Sequence, residues 1–188
     1  MSARESKITD KQVIEYAEYL SYLGKDRKKN ARQLAELRRS LQDSHGMATA
    51  ACPHVLRFLP AEENLNRTKA FFLVGALFAS HPEQGANNLS LGGALRLFVH
   101  RDRAGGVEQN ESVRRRFVAL LDSPREDLGE HLRHLLDLLG PVQSSICWAQ
   151  LLYDVLRWDD ESRHVQRRLA RDFWATDLTS DNEGETKQ

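Results

Sequence analysis

The fold is decided by residues 147–174, which read CWAQLLYDVLRWDDESRHVQRRLARDFW. Between Trp148 and Leu156, apolar residues recur at steps of three and four, the pattern of one buried face of an α-helix. The acidic run Asp159–Glu161 follows, and it places negative charge where the positive dipole end of a second helix would start. The stretch therefore predicts a helical hairpin, and the rest of the chain must supply the surface on which it packs.

The second helix of this hairpin has two faces of opposite character. Val165, Leu169 and Phe173 follow one another every four residues and form the apolar face. Three arginines keep the same spacing on a face about 160–200° away around the helix axis: Arg163, Arg167 and Arg171. The pattern predicts that the hairpin buries one side and presents a row of guanidinium groups to water.

The composition favours an all-helical protein. Among the 188 residues, leucine occurs 27 times, whereas valine occurs 10 times and isoleucine three times. Leucine is a strong helix former, while the β-branched residues prefer strands. No run of strict apolar and polar alternation indicates a sheet. We therefore expect an all-α fold of two small helical-bundle subdomains, with about eight or nine helices in total.

A polar segment rich in helix-breaking residues, 81–88, divides the chain. We place an N-terminal helical subdomain at residues 1–80 and a C-terminal one at residues 90–174. The most hydrophobic predicted helix is capped by Asn64 or Asn66 and ends at Ser80, and it is expected to be the buried centre of the first half. Residues 175–188 carry a net charge of −3 and are expected to form an acidic disordered tail.

The sequence favours a cytoplasmic protein. Its two cysteines are too few for a disulfide framework and fit a reducing compartment. The polar N-terminus does not have the pattern of a signal peptide. The longest apolar run, Ala70–Ala79, is too short to span a bilayer, so we expect no contact with a membrane.

The sequence contains no recognisable catalytic motif. It has no nucleophile elbow, no phosphate-binding glycine loop and no helical metal-binding motif. Cys52-Pro53-His54 lacks a second ligand pair at zinc spacing, and a buried thiol explains it better. Charge at a helix start explains Asp159–Glu161 better than Mg²⁺ binding does. Close helix packing explains Gly92-Gly93. We therefore expect no catalytic residue, no metal and no cofactor, and predict that the protein is not an enzyme.

Basic residues are the remaining candidates for function, although the formal net charge of the chain is zero. Residues 25–39 alone carry a net charge of +5. In a helix predicted over about 27–41, Lys28, Arg32 and Arg39 share the exposed side, whereas Arg38 projects close to the apolar stripe. A second basic group is Arg114–Arg116, and the hairpin row is the third.

One such basic row is more often an ordinary solvated helix face than a binding site. Three rows in a chain without net charge favour a nucleic-acid partner. The rows contain no interleaved exposed aromatic residues, so the pattern favours contact with backbone phosphates over base stacking.

Several segments together resemble the CasB family, the small subunit of the type I-E CRISPR surveillance complex Cascade. They occur in the family's order over about residues 10–174, and Leu169 stands where a tryptophan is common in the family. The segments are Ala35–Arg39, Ser90–Leu95, Arg114–Leu121, His131–Arg133, Trp148–Trp158 and Val165–Trp174.

The resemblance implies an all-helical, two-lobed and non-catalytic protein. Its expected partners are crRNA, target and non-target DNA, the other Cascade subunits and a second copy of itself. It would stabilise the crRNA–target hybrid and the displaced strand by sequence-independent contacts. Motif position implies that the contacts include Arg38, Arg39, Arg114, Arg115, Arg116, Arg133 and Arg163. Lys28, Arg32 and Arg167 join them on the helical-face argument alone.

Two other classes of protein remain open. A helical DNA-binding transcriptional regulator would need a recognition helix with polar base-reading residues, and the helix predicted over 27–41 is poor in them. A scaffold that binds only other proteins is the third possibility. Binding to random single strands would exclude the scaffold, and preference for a palindromic operator would identify the regulator.

Overall fold

A computed structural model describes residues 10–61, 64–82, 89–101, 106–139 and 146–175. These residues form nine α-helices, and within them the only β-pairing is one isolated bridge between Leu89 and Ile146. The all-α prediction is confirmed. The helices are α1 (Lys11–Lys25), α2 (Ala31–Arg38), α3 (Cys52–Val55), α4 (Leu65–Ser80), α5 (Leu91–Arg101), α6 (Gly106–Asp122), α7 (Leu128–Leu139), α8 (Trp148–Leu156) and α9 (His164–Trp174).

Helix α4 is buried on nearly all sides, as its hydrophobicity predicts. Nine of its 16 residues are buried, and the side chain of Asn64 caps its first turn by accepting a hydrogen bond from the Asn66 amide. Helices α1, α2 and α8 all pack against it. The ring of Phe78 meets that of Trp148 edge-on at 5.3 Å between centroids. Of the predicted hairpin, α8 therefore packs on the most hydrophobic helix of the chain, whereas α9 packs against α5.

Helices α1 and α4 approach closely at Gly75. A Cβ atom at this position would lie well inside 3.0 Å of the Tyr16 hydroxyl oxygen. Tyr16 is fully buried, and its hydroxyl donates a hydrogen bond of 3.1 Å to the carbonyl oxygen of Phe71. Burial raises the pKa of Tyr16, so the phenol remains a neutral donor.

Helices α5 and α9 pack closely at Gly92, which confirms the packing interpretation of this glycine. A Cβ atom there would lie well inside 3.0 Å of the backbone carbonyl oxygen of Leu169. Ser90 caps α5, because its Oγ accepts a hydrogen bond of 3.2 Å from the Gly93 amide. The same hydroxyl donates to Asp172 at 2.5 Å and so ties the start of α5 to α9.

The helix predicted over about 27–41 is shorter than expected. Residues 26–30 form a turn, and α2 starts only at Ala31 before ending in a 3-10 turn at Arg39–Leu41. The cause is Asn30, which is 3% exposed. Its amide nitrogen donates to the carbonyl oxygens of Tyr22 and Leu23, at the end of α1. A side chain that satisfies these free carbonyls fixes a turn at this position.

Three other expectations from the local sequence pattern are wrong: one helix over 47–59, a helix capped by Asn110, and a capping box over 123–126. The segment 47–59 is not one helix but the short α3 between two 3-10 turns. Helix α6 begins at Gly106, about one turn before the predicted cap at Asn110. Ser123 does not form a capping box, because its hydroxyl donates back to the Leu120 carbonyl at 2.8 Å. A 3-10 turn at Arg125–Asp127 follows and leads into α7.

The predicted break at 81–88 falls largely outside the described residues. The division into subdomains at 1–80 and 90–174 therefore stays a prediction. The predicted disorder of 175–188 lies almost wholly outside the described residues. None of the helices in the described part is both long enough and apolar enough to cross a bilayer.

Candidate nucleic-acid interface

The ten basic residues predicted to contact nucleic acid lie on α2, α6, α7, α9 and the turns beside them. The structure divides them by what each guanidinium or ammonium group contacts. Arg38 and Arg163 bind the carbonyl ends of other helices, and Arg32 pairs with a carboxylate of its own helix. The other seven have exposed side chains with no ion pair to another described residue: Lys28, Arg39, Arg114, Arg115, Arg116, Arg133 and Arg167.

Lys28 and Arg32 do not share a helical face, because Lys28 lies in the turn before α2. Arg32 donates from Nε to Glu36 at 2.9 Å, one turn further along the helix. Glu36 is also 2.7 Å from His54 Nε2. The hydrogen bond with His54 and then the one with Arg32 hold the pKa of Glu36 below its usual value. The charge of Arg32 is therefore partly balanced by a carboxylate that stays ionised.

Arg38 and Arg39 are adjacent but have different environments. Arg38 donates from Nε to the Ala79 carbonyl at 3.0 Å and so satisfies a free carbonyl at the end of α4. This contact agrees with its predicted position close to the apolar stripe. Arg39 lies in the 3-10 turn with its side chain exposed. Of this pair, Arg39 has the whole guanidinium group available to an outside anion.

The arginines of α6 form a band around the helix rather than a row along it. Arg114, Arg115 and Arg116 are all exposed, between buried Val113 and Phe117. At about 100° per residue, Arg115 points away from the core and its two neighbours flank it on opposite sides.

Helix α7, which packs against α6, adds the exposed Arg133 beside the buried Leu132. This pair of helices therefore carries four exposed arginines that contribute nothing to the core.

Arg163 does not lie on the exposed face of α9, so that part of the predicted row is wrong. The residue precedes the helix and has a left-handed backbone, with φ of 49° and ψ of 34°. Its Nη2 donates to the Leu121 carbonyl at 2.6 Å and lies 3.7 Å from a carboxylate oxygen of Asp122. The cation thus satisfies the C-terminal end of α6, where the helix dipole is negative.

The remaining exposed face of α9 contains an aromatic ring as well as two cations. Arg167, Arg171 and Trp174 are exposed and lie within about 60° of one another around the axis. Trp174 is 50% exposed. The expectation that the basic rows lack an exposed aromatic residue is therefore wrong for α9. The spacing of the apolar residues places Phe173 correctly in the core. It does not show that the adjacent Trp174 is exposed on the basic face of the helix.

Sequence reasoning also missed a buried ionic network behind α9. Asp154 on α8 is 1% exposed, pairs with Arg168, and accepts a hydrogen bond of 2.8 Å from Gln150. Arg168 also lies 3.6 Å from Asp172. Burial raises the pKa of Asp154 to about 6, although the positive charge of Arg168 opposes the shift. A carboxylate about 60° from Leu151 around the helix axis, at the edge of the apolar face of α8, was the available signal.

The network predicts a pH dependence of stability that Asp154→Asn should remove. A carboxyl group whose pKa is raised on folding stabilises the fold below its unfolded pKa and loses this effect as the pH rises through about 6. Between pH 4.5 and 7.5, the unfolding free energy of the wild type should fall relative to that of the variant by on the order of 2 kcal/mol. Urea titrations at several pH values measure it, and parallel curves would contradict it.

The residues considered as metal ligands have other contacts. The Cys52 thiol lies against the Ala48 carbonyl, His54 contacts Glu36 and Tyr19, and Asp159 pairs with Arg125. Asp160 accepts hydrogen bonds from the amide and hydroxyl of Ser162, and so shapes the turn before α9. Nowhere in the described parts of the chain do three or more histidine, cysteine or carboxylate side chains converge as a metal site would require.

These features define an all-α protein with exposed arginines on several helices. The sequence profile of the family described as CRISPR-associated protein Cse2 matches residues 33–174. A CRISPR-associated protein Cse2 from Thermus thermophilus is 35% identical over 141 residues, which are 74% of this chain and 77% of that protein. The chain belongs to the Cse2 family.

Solved structures agree with this assignment. The crystal structure of CasB from Thermus thermophilus is 30% identical in sequence, with a TM-score of 0.68, and the match covers 87% of this chain and 98% of that one. The predicted resemblance to the CasB family is thereby confirmed. A chain from a CRISPR RNA-guided surveillance complex is 23% identical, with a TM-score of 0.65 and coverage of 86% and 90%, and it supports the fold.

Proposed function

We propose that this chain is a non-catalytic subunit of a cytoplasmic CRISPR RNA-guided surveillance complex, in which it binds nucleic-acid backbones. Family membership supports the first part, since a chain of the same fold occurs in such a complex. The exposed arginines support the second part. They occupy several helices, have no acidic partner among the described residues, and do not contribute to packing.

The observation that carries the proposal is the arginine band of α6 together with Arg133 of α7. Four guanidinium groups project from two helices that pack together. Guanidinium groups bind phosphate oxygens with good geometry, and they do so without reading base edges. The site therefore suits a partner whose sequence is recognised by other means, as in guide-RNA pairing.

In this role the subunit stabilises the hybrid of crRNA and target DNA and holds the displaced non-target strand. Its partners are the other subunits of the complex and a second copy of itself, as the CasB resemblance implies. Arg39, Arg114, Arg115, Arg116, Arg133, Arg167 and Lys28 make the main contacts. Arg38 and Arg163 position the surfaces around them, and the charge of Arg32 is partly balanced by Glu36.

Binding should be independent of sequence and steeply dependent on salt. If about four phosphates of a single strand are neutralised, the plot of log affinity against log salt concentration should have a slope near −3. The affinity should then fall by roughly fifty-fold between 50 and 200 mM salt. Filter binding with two unrelated single strands tests this. A flat salt response would refute phosphate binding, and a strong preference for a palindrome would favour a transcriptional regulator instead.

A further inference from the structure

We propose that Trp174 is a stacking platform for an unpaired base, with Arg167 and Arg171 holding the phosphates of the same strand. The inference rests on the proposed nucleic-acid function and assigns the α9 face to single-stranded rather than duplex nucleic acid. Contacts with backbone phosphates alone give the exposed Trp174 ring no role. In the described structure, Trp174 is the half-exposed tryptophan, whereas Trp148 and Trp158 are buried, at 8% and 4% exposure.

The position of the Trp174 ring is fixed by its surroundings. It packs edge-on against Phe173 at 4.8 Å and lies tilted against Phe117 of α6 at 5.6 Å between ring centroids. The backbone just beyond it is held as well, since Arg96 of α5 donates to the Ala175 carbonyl at 3.2 Å. A ring that is already ordered loses little conformational entropy when a ligand stacks on it.

Arg167 and Arg171 lie along the path of a nucleic-acid strand that continues from a base stacked on Trp174. Arg167 and Arg171 are one helical turn apart, about 6 Å along the axis, and Trp174 follows on the same face. Both arginine side chains are exposed, and neither has a polar partner among the described residues. Two guanidinium groups and one aromatic face are the combination by which proteins bind single strands, with phosphate neutralisation and base stacking together.

Charge favours nucleic acid over a protein as the occupant of this face. The acidic side chain in this part of α9, Asp172, is turned toward Ser90 and Arg168, so no described carboxylate of the helix balances Arg167 or Arg171. Desolvating two unbalanced cations would weaken a protein contact, and the cores of protein interfaces are depleted of charge. A polyanion with exposed bases satisfies the cations and the ring at once.

The test compares a thymidine oligonucleotide of about twelve nucleotides with a blunt duplex of the same length, using the full chain. Trp174→Ala should weaken binding to the single strand by about five-fold to a hundredfold, because it removes one stacking contact. It should leave duplex binding unchanged, because duplex bases are already stacked on one another. Trp174→Phe is the matched control and should bind like the wild type, and thermal melts of both variants confirm that they are folded.

Fluorescence gives an independent readout. The oligonucleotide should quench tryptophan emission in the wild type but not in Trp174→Phe, although that variant still binds, because the two remaining tryptophans are buried. Quenching that persists in Trp174→Phe would overturn the proposal.

Two other results would also overturn the stacking proposal. In the first, Trp174→Ala weakens binding of the single strand and of the duplex equally, or weakens neither, while Arg167→Glu combined with Arg171→Glu weakens binding of both. The proposed nucleic-acid function would then stand without base stacking on Trp174. The other is unchanged oligonucleotide binding by Trp174→Ala together with poorer retention of the chain in the assembled complex, which would identify Trp174 as a protein contact. If the arginine reversals also have no effect on either ligand, phosphate binding by α9 fails as well.

Discussion

Gly92→Ala is expected to destabilise the folded chain by roughly 3 kcal/mol or more. The new methyl group would overlap the backbone carbonyl of Leu169, and a backbone atom cannot move aside as the tip of a flexible side chain can. Helices α5 and α9 would have to separate, which would also disturb the contact between Ser90 and Asp172. Thermal or urea unfolding of the purified variant measures the effect.

The neighbouring glycine provides a matched control. A Cβ atom at Gly93 would lie 3.5 Å from Ser90 Oγ and 3.6 Å from Leu89 Cβ, which is ordinary contact. Gly93→Ala should therefore be neutral, or stabilise by up to about 1 kcal/mol through helix propensity. Equal effects of the two substitutions would show that α5 and α9 are not in close contact at Gly92.

The second large effect is expected from Arg114→Glu combined with Arg115→Glu. Each phosphate contact with a single strand contributes about fivefold to affinity at about 0.1 M salt, relative to 1 M, and reversal replaces two such contacts with repulsion. Affinity for nucleic acid should fall by about a hundredfold or more. Both side chains are exposed, so the melting temperature should be unchanged. Retention of an opened double-stranded target by the complex rebuilt with the variant provides the functional measurement.

Two comparisons make this result specific to charge on α6. Arg114→Gln with Arg115→Gln removes the attraction without adding repulsion and should give an intermediate loss. Arg163→Glu places a carboxylate beside Asp122 at the negative end of α6, so it should lower the melting temperature. Wild-type target binding by the Arg114/Arg115 reversal would contradict our assignment of the α6 band.

Helices with strong apolar periodicity could be predicted from the sequence. Helix α4 and its Asn64 cap, and the apolar faces of α8 and α9, follow from local patterns that the packed structure preserves. Where one side chain finds a distant or unusual partner, local patterns fail. Asn30 fixes a turn where the sequence predicted the first turn of a helix, and the Ser123 hydroxyl donates back to the Leu120 carbonyl instead of forming a capping box.

The basic residues of the candidate site show more clearly that local sequence patterns do not predict contacts between distant residues. The position of an arginine on the exposed side of a predicted helix does not show whether its side chain is solvated or binds the carbonyl end of another helix. Only the tertiary structure distinguishes the two. Arg163 lies 42 residues from the Leu121 carbonyl that it contacts, and Arg38 lies 41 residues from its Ala79 partner. No spacing rule along the chain reaches that far. Exposed arginines on regular helices, such as Arg115, could be predicted because nothing distant competes for them.

The contact between α1 and α8 affects the folding of the chain during translation as well as the stability of the folded protein. Helix α1 leaves the ribosome well before α8, yet one of the surfaces that covers it, on α8, ends only at Leu156. Chains fold as they are synthesised, and contacts between distant segments form late. Helix α1 must therefore keep part of its apolar surface uncovered until α8 has been translated. A pause in translation before α8 would lengthen the period in which that surface can bind a chaperone or aggregate with another nascent chain.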